Sequence, residues 1–186
     1  MPSGEPMSPA RTITDEELLQ LPKDGHKYEV VDGELVAMSP AGMRDELIVM
    51  ELGAILRNFV NKQGLGRVLG PDLLYVLPSG NKRGPDVSFI AAHRFAALPP
   101  GTVFPEIAPD LAVEVLSPSD RPRRVLDKVG EYLESGVRLV WVIDPVKRQA
   151  AVHRTATEGR YVDSDGELDG EDVLPGFRCR LAEILA

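Results

Sequence analysis

Residues 111–144 read LAVEVLSPSDRPRRVLDKVGEYLESGVRLVWVID, and the order of patterns in this stretch decides the fold. Leu111–Leu116 is a short apolar run that reads as a strand. Ser117–Asp120 is a turn and helix start. Helical spacing continues to about Ser135 and closes at Gly136, the residue type favoured just past a helix end. Arg138–Asp144 is the strongest strand pattern in the chain. Strand, helix, strand at this length is a βαβ crossover, which makes the two strands parallel neighbours in one sheet.

Upstream, Val87–Ala91 is another short strand, led by Pro85-Asp86. The stretch Ala92–Pro109 is rich in Ala and Pro and reads as a surface excursion. Arg67–Leu69 and Leu73–Leu77 are further strand candidates, and Pro78–Gly84 reads as a loop carrying Lys82 and Arg83. From Asp45 to about Asn61 the spacing is helical, with Leu47, Ile48, Leu52, Ile55, Leu56, Phe59 and Val60 on one broad stripe. Tyr28–Val31 and Glu34–Met38 flank Asp32-Gly33, a strong hairpin signal. Thr14 with Glu17 forms a capping-box pattern for a short helix that Pro22 stops. Downstream, Gln149–Arg154 and Arg160–Asp163 suggest a second hairpin, and Leu174–Leu185 packs back on the domain. The expected fold is therefore α/β with a central mixed sheet, flanked by helices and carrying N-terminal and C-terminal hairpins.

Bulk composition narrows the function. The chain has 186 residues and 43% hydrophobic residues, enough for one core and too many for a disordered chain. Residues 1–11 read as a flexible tail and residues 12–186 as one domain. No run approaches the roughly 20 apolar residues of a membrane helix. The N-terminus lacks a basic start followed by an apolar stretch, so no secretory signal is read. The single cysteine, Cys179, excludes a disulfide framework and argues against a cysteine zinc site. The cytoplasm is the expected compartment. The net charge of −8 runs against a nucleic-acid binder and predicts weak non-specific DNA binding at physiological salt.

Three residues carry the chemistry. Glu114 lies inside Leu-Ala-Val-Glu-Val-Leu, where an unpaired carboxylate would cost several kcal/mol. A metal, a cation or a raised pKa must compensate it, unless the side chain reaches solvent at the strand end. Asp86 leads the preceding strand. Together they offer hard oxygen ligands suited to magnesium or manganese, although Pro-Asp alone is more often just a turn. Lys128, on the helix after Glu114, has apolar neighbours Val125, Val129 and Tyr132. By itself it reads as a lysine that snorkels to water. Arg121, Arg123 and Arg124 crowd the start of that helix, where the dipole disfavours cations. An arriving phosphate would explain them, and so would a solvated basic turn.

A wider set of motifs then falls into order. Tyr28-Glu29-Val30-Val31-Asp32-Gly33-Glu34-Leu35, Met38-Ser39-Pro40, Pro85-Asp86-Val87 and Val113-Glu114-Val115-Leu116-Ser117-Pro118-Ser119 lead. Lys128 through Glu131-Tyr132, Gly136-Val137, Trp141-Val142-Ile143-Asp144-Pro145 and Leu174-Pro175-Gly176-Phe177 follow. This series resembles the Uma-two family of restriction endonucleases, within the PD-(D/E)XK nuclease superfamily, from Thr12 nearly to the end.

The resemblance implies a restriction-endonuclease-like core and a Mg²⁺- or Mn²⁺-dependent endonuclease acting on DNA. Asp86, Glu114 and the backbone carbonyl of Val115 would be metal ligands. The superfamily lysine belongs two residues after the glutamate, where this chain has Leu116. The family places it on the following helix, at Lys128. Family members often carry a histidine just before the first long helix, where this chain has Asp45. Asp45, Glu46 and Glu34 are therefore candidates for a second metal or an accessory role, and Arg121, Arg123 and Arg124 for phosphate binding. A homodimer is expected from the twofold nature of double-strand cleavage. Two rival readings stand beside this one. The first is a catalytically weak or inactive DNA-binding accessory protein that retains the fold. The second is a hydrolase of a small phosphorylated ligand, disfavoured because no glycine-rich phosphate loop is present.

Overall fold

Alternating apolar residues become strands and the 3.6-residue stripes become helices in a computed structural model that describes residues 13–22 and 26–185. The tail expected over residues 1–11 lies outside the described residues. In chain order the elements begin with α1 (Asp15–Leu19), β1 (Tyr28–Val31), β2 (Glu34–Ala37), α2 (Met43–Gln63), β3 (Gly66–Leu69), β4 (Tyr75–Val76) and β5 (Lys82–Arg83). They continue with β6 (Val87–Ala91), α3 (Ala92–Ala96), β7 (Leu111–Val115), α4 (Pro122–Glu134) and β8 (Leu139–Asp144). The chain closes with β9 (Gln149–His153), β10 (Gly159–Asp163), β11 (Glu167–Asp169), β12 (Arg178–Arg180) and α5 (Leu181–Ile184).

The central sheet runs β10-β9-β8-β7-β6-β3. β7 and β8 are parallel, as the crossover requires, while the other pairs are antiparallel. The sheet is therefore mixed, with the fold class expected. Successive residues face opposite sides, and both sides are covered. Leu111, Val113 and Val115 join Leu139, Trp141 and Ile143 against Leu52, Leu56 and Val60 of α2. Leu174, Phe177, Leu181 and Leu185 pack into this same cluster, so the C-terminal segment does fold back. On the opposite side Ala112, Val140 and Val142 meet Val129 and Tyr132 of α4. Burying each large apolar side chain contributes about 1.5–3 kcal/mol, so the two clusters dominate the stability.

A second sheet, β2-β1-β5-β4, is smaller. Its hairpin forms as expected: Asp32 and Gly33 take φ of 52° and 80°, left-handed at both positions as a two-residue hairpin turn demands. Val30 on one face packs with Leu18 of α1 and with Leu74. The capping box is present, with the Thr14 side chain accepting from the Glu17 N–H and the Glu17 carboxylate accepting from the Thr14 N–H. Gly136 has φ of 97° and follows the end of α4, as expected.

Three expectations need correction. The segment 78–84 is not all loop, because Lys82 and Arg83 form β5 between β1 and β4. The excursion 92–109 begins with the helical turn α3. On α2, Leu47 is 61% exposed, while Val49 takes a place in the core. Among the described residues no helix is long and apolar enough to cross a membrane.

Candidate active site

Strand parity decides which charged groups meet. Glu114 shares the parity of Ala112 and therefore faces α4. Val87 pairs with Val113, so Asp86 stands one step beyond that pair, beside Glu114. It shares the parity of Ser88 and turns to the same face. Asp86 Oδ2 accepts from the Val115 N–H at 2.8 Å, and Lys27 Nζ lies 3.4 Å from Asp86 Oδ1. A strand residue turns its N–H and C=O to the same side, so the Val115 carbonyl also faces the Asp86 edge.

Helix α4 delivers the cation. Lys128, Glu131 and Tyr132 stand at i, i+3 and i+4 and share one helix face. Lys128 Nζ donates to Glu114 Oε2 at 2.9 Å, and the Tyr132 hydroxyl donates to Glu114 Oε1 at 2.8 Å. Lys128 does not snorkel to water: its side chain is 10% exposed. The structure thus brings Asp86, Glu114 and Lys128 together, with the lysine arriving from a helix and Leu116 left out.

Sequence reading missed Glu29 as a site residue. It lies on β1, 1% exposed, on the opposite face from Val30. Its Oε1 is 2.9 Å from Lys128 Nζ and accepts from the Gly84 N–H at 3.0 Å. Its Oε2 accepts from Arg83 Nη1 at 3.1 Å. Arg83 Nε also donates to Glu131 Oε2 at 2.6 Å. Glu131 Oε1 accepts from Ser79 Oγ at 2.8 Å and from Asn81 Nδ2 at 2.5 Å. The signal for Glu29 was the one that exposed Glu114, a carboxylate inside an apolar run.

One ammonium serves two buried carboxylates, and it serves them unequally. Burial pushes the Glu114 carboxyl up, and Lys128 only partly offsets this because Asp86 and Glu29 repel the ionised form. The result is about 7. Burial also opposes ionisation of Glu29, but Lys128, the Gly84 N–H and Arg83 outweigh it and hold Glu29 below the usual carboxylate range. Burial disfavours the charged form of Lys128, yet Glu114 and Glu29 together raise its pKa and keep it an ammonium. Tyr132, buried beside both carboxylates, stays a neutral phenol and a donor.

Glu29, Arg83, Asp86, Glu114 and Lys128 line a cleft of about 1150 Å³ between the two sheets and α4. Asp45, Glu46, Arg121 and Arg124 also line it, whereas Glu34 and Arg123 are not on its wall. Asp45 is buried, and its carboxylate accepts from the Gly42 N–H at 3.2 Å, capping its own helix. The Arg44 guanidinium instead donates to the Pro145 carbonyl at 2.6 Å, tying the start of α2 to the end of β8.

A hard divalent cation fits the donors present. Two carboxylates and a carbonyl oxygen lie on neighbouring strands, and the more buried carboxyl lacks enough positive charge to ionise fully at neutral pH. Among the described residues no three His, Cys, Asp or Glu side chains form a ready-made cluster.

A solved structure of a protein described as a putative nuclease from Anabaena variabilis superimposes with a TM-score of 0.81, at 22% identity, over 93% of this chain and 97% of that one. At that identity the likeness speaks for the fold alone. No curated protein matches the sequence. The family model described as "Uma2: Putative restriction endonuclease" matches residues 15–182, which include Asp86, Glu114 and Lys128. The chain belongs to the Uma2 family.

Proposed function

We propose that this protein is a metal-dependent endonuclease that hydrolyses phosphodiester bonds of DNA. The observation that carries the reading is the Lys128 ammonium, held 2.9 Å from Glu114 in a cleft that Asp86 also enters. Asp86, Glu114 and the Val115 carbonyl would hold Mg²⁺ or Mn²⁺. Such an ion, when bound, polarises the phosphate and acidifies a water. Lys128 orients the attacking water and offsets charge that grows on the phosphate oxygens. The water attacks phosphorus in line, a new P–O bond forms, and the bond to the 3′ oxygen breaks. Arg121 and Arg124 at the start of α4, with Arg123 beside them, engage backbone phosphates at the mouth of the cleft. Glu46, on the wall of the same cleft, would serve an accessory role.

A second reading is favoured by one observation: Asp86 is already engaged by Lys27 and by the Val115 N–H. A DNA-binding accessory protein that retains the fold without cleavage would look like this. Incubation with supercoiled, linear and single-stranded DNA and with RNA, in Mg²⁺ or Mn²⁺, separates the two. Wild-type protein is expected to nick or linearise the plasmid. Asp86→Ala and Lys128→Ala are each expected to lose roughly 100–1,000-fold in rate, the scale of removing one preorganised donor. Equal cleavage by the wild type and both variants would sink the assignment. Sedimentation of the wild type with and without duplex DNA tests the homodimer expected of a double-strand cutter.

A further inference from the structure

We propose that Glu29 is a positioning residue for Lys128, and that Arg83 and Glu131 extend a chain of charged side chains, closed into a ring by the α4 backbone, that aims the ammonium into the cleft. The inference rests on the nuclease reading for its catalytic meaning. Its geometry stands apart from that reading.

Its three side-chain links are read directly from the contacts. Lys128 touches Glu29, Glu29 touches Arg83, and Arg83 touches Glu131. Glu131 returns to the helix that bears Lys128, one turn on. Three separate elements, β1, β5 and α4, therefore meet through one chain of charge-assisted bonds. The Arg83 guanidinium suits its place, because its fork spans two carboxylates at fixed angles where a lysine ammonium would have to choose. Glu29 is the least exposed member, at 1%. A carboxylate so buried is costly unless fully engaged, and both of its oxygens are: Lys128 and the Gly84 N–H on one, Arg83 on the other.

The consequence concerns direction. Four methylenes separate the ammonium from the Lys128 backbone, and Glu114 alone would fix it from one side. Glu29 fixes it from a second, so Nζ is held between two strands of different sheets. Glu29 reaches the reacting phosphate only through Lys128, which is why its part is positioning.

Two measurements on the full chain decide the matter. In the first, Glu29→Gln is expected to lower kcat by on the order of 100-fold, the cost of a misplaced group, with KM and Mn²⁺ affinity by calorimetry near wild type. Glu29→Asp recovers part of the rate. Arg83→Lys, which keeps the charge and loses the fork, falls between. The Glu29→Gln/Arg83→Lys double variant is no slower than Glu29→Gln, because the residues act as one unit.

The second measurement needs no activity. A lysine ammonium locked away from water gives a slowly exchanging ¹⁵N–¹H resonance. That resonance is expected in wild type, absent in Lys128→Met, and lost or fast-exchanging in Glu29→Gln and Arg83→Lys. An unchanged kcat in both variants, or an unchanged ammonium resonance in both, would overturn the proposal. A general loss of thermal stability and Mn²⁺ affinity together with kcat would also overturn it, since that marks a merely structural role. If the wild type cleaves nothing, the nuclease reading falls and the resonance alone decides on the ring.

Discussion

The two sheets of this protein are held by opposite physics. The central strands of the six-stranded sheet are packed on apolar side chains on both faces, with Trp141, Leu139, Ile143 and Leu111 fully buried on one and Ala112 and Val140 on the other. The four-stranded sheet has a small apolar side around Val30, Leu18 and Leu74, and it meets α4 through Glu29, Arg83, Asn81 and Ser79. One region is a scaffold that tolerates no gap. The other is a seam of charges that costs desolvation and returns orientation. The candidate site lies where they join: Asp86 and Glu114 come from the scaffold, and Glu29 and Lys27 from the seam.

The contrast can be broken from either side, and the largest effect is expected in the scaffold. Trp141→Ala removes a fully buried ring stacked on Phe177. It is expected to cost about 4 kcal/mol in denaturant unfolding, within the range for large aromatic truncations. Lys128→Ala strikes the seam and leaves Glu29 and Glu114 facing each other without their cation. A loss of about 3 kcal/mol is expected, and Glu114→Gln added to it should return part of that loss. If Lys128→Ala is neutral, the seam is not charge-coupled.

The third effect depends on pH. The Glu114 carboxyl is raised on folding from 4.5 to about 7, so the folded protein binds this proton more tightly than the unfolded chain does. Its stabilising contribution is full below about 4.5 and is lost as pH rises through about 7. The metal-free wild type should therefore lose about 2 kcal/mol more than Glu114→Gln between pH 5 and pH 8. Parallel stability profiles for the two would refute the assignment of that proton to Glu114. The smallest effect is at the margin of the seam. Thr14→Ala deletes the cap of α1 and is expected to cost about 1 kcal/mol by thermal unfolding, without altering the Lys128 contacts.

How much of this was legible in the sequence follows the same division. Elements of the scaffold announce themselves by period. The apolar runs of β7 and β8 and the stop at Gly136 appear as read, and in the smaller sheet so does the hairpin at Asp32-Gly33. Glu114 stood out because a charge interrupts an apolar run. The seam has no period to read. β5 is two residues long, so Lys82 and Arg83 passed for loop, and Val30, the β1 partner of Lys82, lies far back along the chain. Glu29 carried the same signal as Glu114, yet a four-residue hairpin strand is ordinarily polar on one face, which concealed it. Leu47 was placed in the core because the α2 stripe was drawn too wide. The buried row is Ile48, Val49, Leu52, Leu56 and Val60. Lys128 was named through family resemblance, and the reason it is buried became visible only with Glu29.

The ring that joins the seam to α4 also bears on the order in which the chain acquires its parts. β7 and β8 flank a single helix and can find one another early. The contacts Gly84 to Glu29 and Arg83 to Glu131 span 55 and 48 residues and pay the loop-closure entropy of long-range pairing. A molecule whose large sheet has formed but whose hairpin has not docked holds Glu114 without a fixed ammonium. Readiness of the site thus reports on completed folding, and a half-folded chain carries the frame of the cleft with its cation unaimed.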